Sequence, residues 1–381
     1  MPRDTEAMRS NSHDDLVEAG VKAVAKFGVD KVTVANVITI TGHSRPTFYS
    51  YFGDISGMLA DIWIKHGVAW LDAVLAEVSS KSGKSAKRTQ ALDSAMQQIV
   101  SVAHRVPELL EVLKPDMQAW WNENTSKSEI SKLRIAWLMG IKLGVDVSKV
   151  VTPEIVAAEA FLPVIDSATD EIERDSRISD LPAPPVYPEA SPVLANPGNT
   201  EENIMRATIE VIANSGIEAA SVARVARRCR VSTGTIYPRF PTGRTLVEAS
   251  FAEAINDIVA SNLSQASTIG FGFDQYALTV RAGFGENRRI WRDYRLEMHV
   301  AAMHDESLAR IMQPGFEQSR QMLVNSAMTM PGMKAEVVDY VTHMMQACAI
   351  GFSILFNAGV PLDKLDHRKM VRFYGIQMLG L

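Results

Sequence analysis

The chain has 381 residues and a formal net charge of −5, with 46% hydrophobic and 22% charged residues, a length that suits two domains better than one core. The balance excludes a disordered or fibrous protein. No uncharged apolar run approaches the roughly 18 residues of a membrane span and the start, MPRDTEAMRSNSHDD, is too polar for a signal peptide, so a cytoplasmic protein without membrane contact is expected.

In chain order, residues 1–12 are polar and aperiodic and are expected to be a disordered lead-in. From Asp14 apolar residues recur at helical spacing up to Phe27, and Gly28 stops that helix. Thr33 is positioned to cap a second helix, Val34 to Thr41. Gly42 supplies a turn, and Ser44 caps a third helix. A long helix near Ser56–Val78 follows, then amphipathic stretches near Thr89–Arg105, Glu108–Asn124, Lys127–Gly144 and Pro153–Arg174. Residues 176–199 hold six prolines and predict an extended linker, which at about 3.1 Å per residue reaches roughly 70 Å and leaves the orientation of the second half open. Beyond it Thr200 caps a helix to Ser215, Gly216 ends it, and further helices follow near Thr245–Leu263, Asp274–Phe284, Asn287–His304, Ser307–Met328, Lys334–Phe356 and Leu365–Leu379. No run of alternating β-branched residues interrupts the pattern, and the fold class expected is all-α.

The halves are related. Thr33–Phe52 (TVANVITITGHSRPTFYSYF) aligns without a gap on Ser221–Phe240 (SVARVARRCRVSTGTIYPRF) at an offset of 188 residues, matching Val37 to Val225, Ser44 to Ser232, Thr47 to Thr235, Tyr49 to Tyr237 and Phe52 to Phe240. A repeat this long implies a duplicated domain. Two short capped helices joined by a tight turn predict a helix-turn-helix in each copy, with the second helix of each entering a DNA major groove. Thr33 and Ser44, like Ser221 and Ser232, place hydroxyls and open N–H groups where helix N-termini meet phosphate. Arg45, Pro46, Thr47, Tyr49 and Tyr51 in the first copy, and Thr233, Gly234, Thr235, Tyr237 and Arg239 in the second, are the remaining candidate contacts on the reading helices. Between Ala219 and Val247 stand Arg224, Arg227, Arg228, Arg230, Arg239 and Arg244 with no acidic residue, a cationic island in an acidic chain and the expected anchor on phosphate. The first copy offers Arg45 alone, against Asp54.

Both stretches resemble the DNA-binding region of the tetracycline-repressor (TetR/AcrR) family, whose pattern runs roughly T-V-x-x-I-A-x-x-A-G-V-S-x-G-T-x-Y-x-x-F. The resemblance covers about fifty residues of each half and implies two tandem units, each a tri-helical DNA-binding domain (13–55 and 200–244) followed by a helical regulatory domain (56–175 and 245–381). Pro46 replaces the usual glycine of the first reading helix, Arg230 replaces the turn glycine of the second copy, and only Arg244 keeps a cation after the final Phe. The resemblance further implies a repressor released by a small apolar effector, with the last two helices of each half packed as a four-helix bundle. One chain would then be its own pseudo-dimer, and a dimer of such chains stays open. Because the reading helices differ at nearly every exposed position, the operator is expected to be asymmetric. Trp120, Trp121 and Trp137 in the first half, and Tyr276, Phe284, Trp291, Tyr294, Met298 and Met322 in the second, are candidate pocket residues, with ordinary core as the competing reading of each.

Other chemistry finds little support. Cys229 and Cys348 have no metal-ligand spacing, and no metal or cofactor is expected. Gly283-Phe284-Gly285 lacks the strand and third glycine of a dinucleotide loop. His299, His304 and Asp305 read as structural. Cys229 beside Arg228 and Arg230 raises a redox switch, against which a small core thiol is favoured. No nucleophile elbow or phosphate loop points to an enzyme. The alternative to a two-headed regulator is a helical partner- or ligand-binding protein whose first helix-turn-helix no longer binds DNA.

Overall fold

The computed structural model describes residues 2–79, 88–183, 191–269, 273–327 and 335–379, and among these no strand occurs. The first half holds α1 (Pro2–Phe27), α2 (Val34–Thr41), α3 (Arg45–Phe52), α4 (Ile55–Val78), α5 (Gln90–Val102), α6 (Pro107–Asn124), α7 (Glu129–Ser148), α8 (Leu162–Asp166) and α9 (Ser176–Ser179). The second holds α10 (Thr200–Ser215), α11 (Val222–Cys229), α12 (Thr233–Ile236), α13 (Gly243–Ile269), α14 (Phe273–Gly283), α15 (Arg289–Ala302), α16 (Glu306–Ala327), α17 (Ala335–Asn357) and α18 (His367–Leu379).

Four expectations are corrected, the smallest being that Asn199 and not Thr200 caps α10, its side chain accepting from Glu202 N. The lead-in is helical from Pro2, because proline suits a first helical position and nothing between it and Gly20 breaks the run. The single helix expected over Pro153–Arg174 is instead a 3-10 stretch, Pro153–Phe161, then α8, then a second 3-10 turn, Asp170–Arg174. Pro163, in the first turn of α8, has no N–H to give a preceding α-turn and suits the start of a new helix there. The proline-rich stretch is tied down at both ends. Its first residues form α9, whose buried Ile178 belongs to the core, and Val193 and Leu194 are buried against the second half, with Leu194 N donating to Asp257 Oδ2 at 2.9 Å. Residues 184–190 of this stretch lie outside the described residues.

The two halves share their interior. The larger apolar core runs from α1 through α7 and continues into α14, α17 and α18, while the smaller one joins α10–α13 to α15 and α16. The main seam is α7 against α17. A Cβ on Gly144 would run into the Ala347 carbonyl, and one on Gly351 into that of Gly140, so glycine is what lets the two backbones approach. Trp137 of α7 packs edge-on against Phe352 of α17 and Tyr276 of α14, and its indole N–H donates to His367 Nδ1 at 3.2 Å. Burial holds that imidazole neutral, with a pKa pushed down to about 4, which leaves Nδ1 able to accept. Trp63, Trp70 and Trp120 likewise direct their N–H groups to Asp116, Asp93 and Asp72, so the indoles enter the core without an orphaned donor. Among the described residues no helix is long and apolar enough to cross a membrane.

Candidate nucleic-acid interface

The two repeated stretches fold alike. Thr33 caps α2 in a capping box with Asn36, and Ser221 caps α11 by accepting from Arg224 N. Ser44 caps α3 through Thr47 N and Ser232 caps α12 through Thr235 N, each with its hydroxyl also on the threonine's, at 2.8 and 3.0 Å. Behind them Val37, Phe48 and Phe52 are buried in the first copy, and Val225, Ile236 and Phe240 in the second. Tyr49 and Tyr237 project into solvent to almost the same degree, 51% and 52% exposed, on the outer side of each reading helix. Such agreement at an offset of 188 residues is what one local fold used twice produces.

The turns differ. Gly42 closes α2 in the left-handed conformation (φ 76°), and Arg230 closes α11 in the same region (φ 58°, ψ 41°). That conformation costs a side-chain-bearing residue about 1–2 kcal/mol. The reading helices differ as well. α3 runs eight residues with Pro46 near its start, while α12 stops after four, where Pro238 removes the next N–H.

The cations are unequally disposed. Arg224, Arg227, Arg228, Arg230 and Arg239 are exposed on the second copy, as are Ser221, Ser232, Thr233 and Gly234, with Thr235 half-buried. Arg228 is paired with Glu210 at 2.6 Å, and Arg224 and Arg239 donate to Ser215 Oγ and Thr235 O. Among the described residues Arg227 and Arg230 have no partner and point to solvent. Arg244 faces the other way, held by Asp305 at 3.1 Å and by Ser307, so its charge is taken up within the protein. In the first copy Thr33, Ser44, Arg45 and Pro46 are exposed and Thr47 half-buried. Tyr51 is half-buried and meets His13 edge-on, which directs it toward the core. Cys229 is partly buried with Sγ on Val225 O, and burial raises its thiol pKa, opposite to what a reactive thiolate requires.

Between the two repeated helical units lies a polar junction. The α1–α2 loop and the α10–α11 loop face each other, with Lys31 3.5 Å from Glu218. Arg105, just after α5, pairs with Asp30 of the first loop and, through Nε at 2.6 Å, with Glu297 of α15. His104 reaches the Ala213 carbonyl at the end of α10 at 3.2 Å. A Cβ on Gly216 would meet Arg105 and Asp30, and one on Gly28 would meet His304, so each loop glycine sits against side chains of the other half. Glu297 is fully buried, and its pKa is pushed up to about 8 by burial while Arg105 pulls it back.

A cavity of about 170 Å³ opens in the second half among α13–α17. Tyr276, Phe284 and Trp291 line it; Tyr294 and Met298 are buried in the core behind, and Met322 is half-buried outside its described wall. Trp120, Trp121 and Trp137 are buried in the larger core. Three wall residues had no place in the sequence reading: Arg288, Arg292 and Arg295. Their i, i+4, i+7 spacing beside Trp291 was the available signal, hidden because arginines on a helix ordinarily mark a solvated face. His299 is buried against Phe316 and held neutral, its pKa driven down to about 3 by burial and then by Arg295. Among the described residues no group of three or more His, Cys, Asp or Glu could hold a metal.

Residues 204–249 match the family model described as bacterial regulatory proteins, tetR family. The match covers the second helix-turn-helix, and the first copy at 33–52 lies outside it. The crystal structure of a transcriptional regulator from Rhodococcus sp. Rha1 aligns at 22% identity over 48% of this chain and 96% of that one, with a TM-score of 0.38. No curated protein matches the chain. The family model is one of regulators and not of catalysts. Residues 204–249 are thus similar to a domain of the tetR regulator family, in a chain that is all-helical among the described residues.

Proposed function

We propose that this chain is a cytoplasmic, ligand-responsive transcriptional regulator that acts as its own pseudo-dimer. Its two non-identical reading helices, α3 and α12, address the two halves of an asymmetric operator, with α12 and its arginines holding harder. A small, largely apolar effector in the second-half cavity releases it from DNA, making it a repressor.

The observation that carries the ligand response is the course of α15. Trp291, Arg292 and Arg295 at its start form part of the cavity wall, Glu297 holds Arg105 and through it Asp30, and its length packs on α10. A ligand that shifts this helix acts on the first elements of both DNA-binding units through packed, ion-paired contacts. The test is a gel shift of the full chain on DNA flanking its own gene, followed by footprinting. Two protected half-sites of different sequence are expected; no retention even at low salt would sink the reading. A second reading rests on the single arginine of the first motif: that half serves to bind a partner, and the footprint then covers one half-site.

A further inference from the structure

The cavity that serves as effector site in the preceding proposal has more charge in its wall than an apolar ligand can answer. Arg288, Arg292 and Arg295 all contribute to it, alongside Ile258, Phe284 and Phe316. Arg288 is 4% exposed; one of its terminal nitrogens donates to Ser261 Oγ at 2.6 Å, and the other, Nη1, is buried with no hydrogen-bond partner. Arg295 donates to the Ala349 carbonyl and to Ser353 Oγ at 2.8 Å and lies over the Trp291 ring, yet its Nε is buried and unpartnered. Arg292 is satisfied by Asn357 Oδ1 and the Gly283 carbonyl and stacks on Phe356.

What Arg288 and Arg295 lack is a carboxylate in contact. Among the described residues neither Arg288 nor Arg295 has a carboxylate within ion-pair distance, and the contact of Arg292 with Asp293 is marginal at 4.0 Å. Asp293 is engaged by Arg289 at 3.4 Å and Asn357 at 2.8 Å, and Asp257, which accepts from Leu194 N, bears on Arg288 only across space. Burial lowers the pKa of all three arginines, that of Arg295 to about 10 with Arg292 adding repulsion. Taking a guanidinium out of water is costly unless a charge or a full set of acceptors replaces the water. Three cations on one wall, with open donors and an apolar remainder, describe a site missing an anion.

We propose that this cavity binds an amphipathic organic anion, its carboxylate or other oxyanion head taking the open N–H groups of Arg288 and Arg295 and its hydrocarbon chain lying along Ile258, Phe284 and Phe316. Guanidinium is suited to such heads because its donors match paired oxygens. The proposal rests on the ligand-responsive reading only for its consequence on DNA; the site itself is tested without DNA.

The full chain is titrated by calorimetry with the saturated carboxylates from hexanoate to dodecanoate, with octyl sulfate, and with 1-octanol and octylammonium as neutral and cationic counterparts. At least one anion is expected to bind about tenfold or more tightly than the octanol and the ammonium, the margin of a charge-assisted hydrogen bond. Whether carboxylate or sulfate binds better identifies the head. Arg288→Gln and Arg295→Gln should each lower anion affinity about tenfold and leave octanol unaffected. Because each removes an uncompensated buried cation, the unliganded variants should melt at the same temperature or higher, whereas a merely structural arginine would lower it. Should either variant fail to fold, Arg288→Lys keeps the charge and should keep the preference for anions. Equal affinity for anion and alcohol, no binding across the series, or anion binding indifferent to these substitutions would overturn the proposal. A bound anion that leaves operator affinity unchanged would uphold the site and sink the ligand-responsive reading instead.

Discussion

The two helix-turn-helix motifs share a scaffold and differ in charge and in how firmly their surroundings hold them. Val37 and Val225, Ser44 and Ser232, Tyr49 and Tyr237 occupy the same positions and the same exposures. Yet the second copy presents exposed arginines where the first presents Arg45, and it places one of them, Arg230, where the first has Gly42. Burial and capping are set by packing that both copies need. Surface charge is free of that packing, so the difference falls on the solvent side of a shared core pattern.

The largest effects should come from the junction behind the motifs, which is also unequal. The Gly216 loop sits against Arg105, a half-buried cation bridging Asp30 and Glu297, while the Gly28 loop sits against His304, whose imidazole burial keeps neutral. Arg105→Ala would leave the largely buried Asp30 carboxylate without its cation and Glu297 without a hydrogen-bond donor, and should cost about 3–5 kcal/mol of stability in denaturant unfolding. His304→Ala should cost about 1 kcal/mol or less. Comparable losses would mean the two junctions are equivalent after all. The same site gives a pH dependence. Glu297 has its folded-state pKa raised from 4.5 to about 8, so its contribution is fully present below 4.5 and is lost as pH rises through about 8. Melting temperature should fall across that window, and Glu297→Gln should flatten the fall.

Next in size is the operator. If the reading helices specify different half-sites, a palindrome made from either half should bind more weakly than the natural site, by about 1–3 kcal/mol for each base pair changed. Competition gel shifts at fixed salt measure this directly. A palindrome that binds as well as the natural site would remove the asymmetry. Smaller still is the contribution of single phosphate contacts. Joint replacement of Arg227 and Arg230 by alanine should reduce the slope of log affinity against log salt by about two, and Arg45→Ala by about one at most. Arg228→Ala should do less than its charge suggests, because Glu210 already engages it. Equal slopes for the two motifs would make them equal partners on DNA.

Much of this was legible because it is local. A capping hydroxyl, a stop glycine and a tyrosine one turn on are decided within a dozen residues, and Thr33, Ser44, Ser221 and Ser232 do in the structure what their neighbours in sequence imply. What escaped is decided by distant partners. Trp137 belongs to a core because Phe352 and Tyr276, from the other half, close over it. Arg288 and Arg295 are cavity walls because α13 and α17 pack over what looks, taken alone, like a solvated helix face. The break near Pro163 was only half within reach, since Pro115 and Pro314 lie inside α6 and α16 without ending them. The tie between linker and core was not, because nothing in a proline-rich stretch names the surface it lies on.

The smallest effect isolates the comparison best. Arg230 and Gly42 end their helices in the same left-handed conformation, and a Cβ at Gly42 would meet nothing within 4 Å, so backbone conformation alone distinguishes the two residues there. Arg230→Gly relieves the left-handed cost of about 1–2 kcal/mol but gives back part of it through the greater freedom of glycine in the unfolded chain. A net gain of about 1 kcal/mol or less is expected, read as a rise in the unfolding midpoint at unchanged slope. Gly42→Arg should lose a similar amount. On DNA the signs reverse: Arg230→Gly removes a cation and should weaken binding, while Gly42→Arg adds one at the corresponding place in the first motif and should strengthen it. If stability and DNA affinity moved in the same direction at both positions, arginine at 230 would have no role in holding DNA, and the strain of its turn would be left without a function.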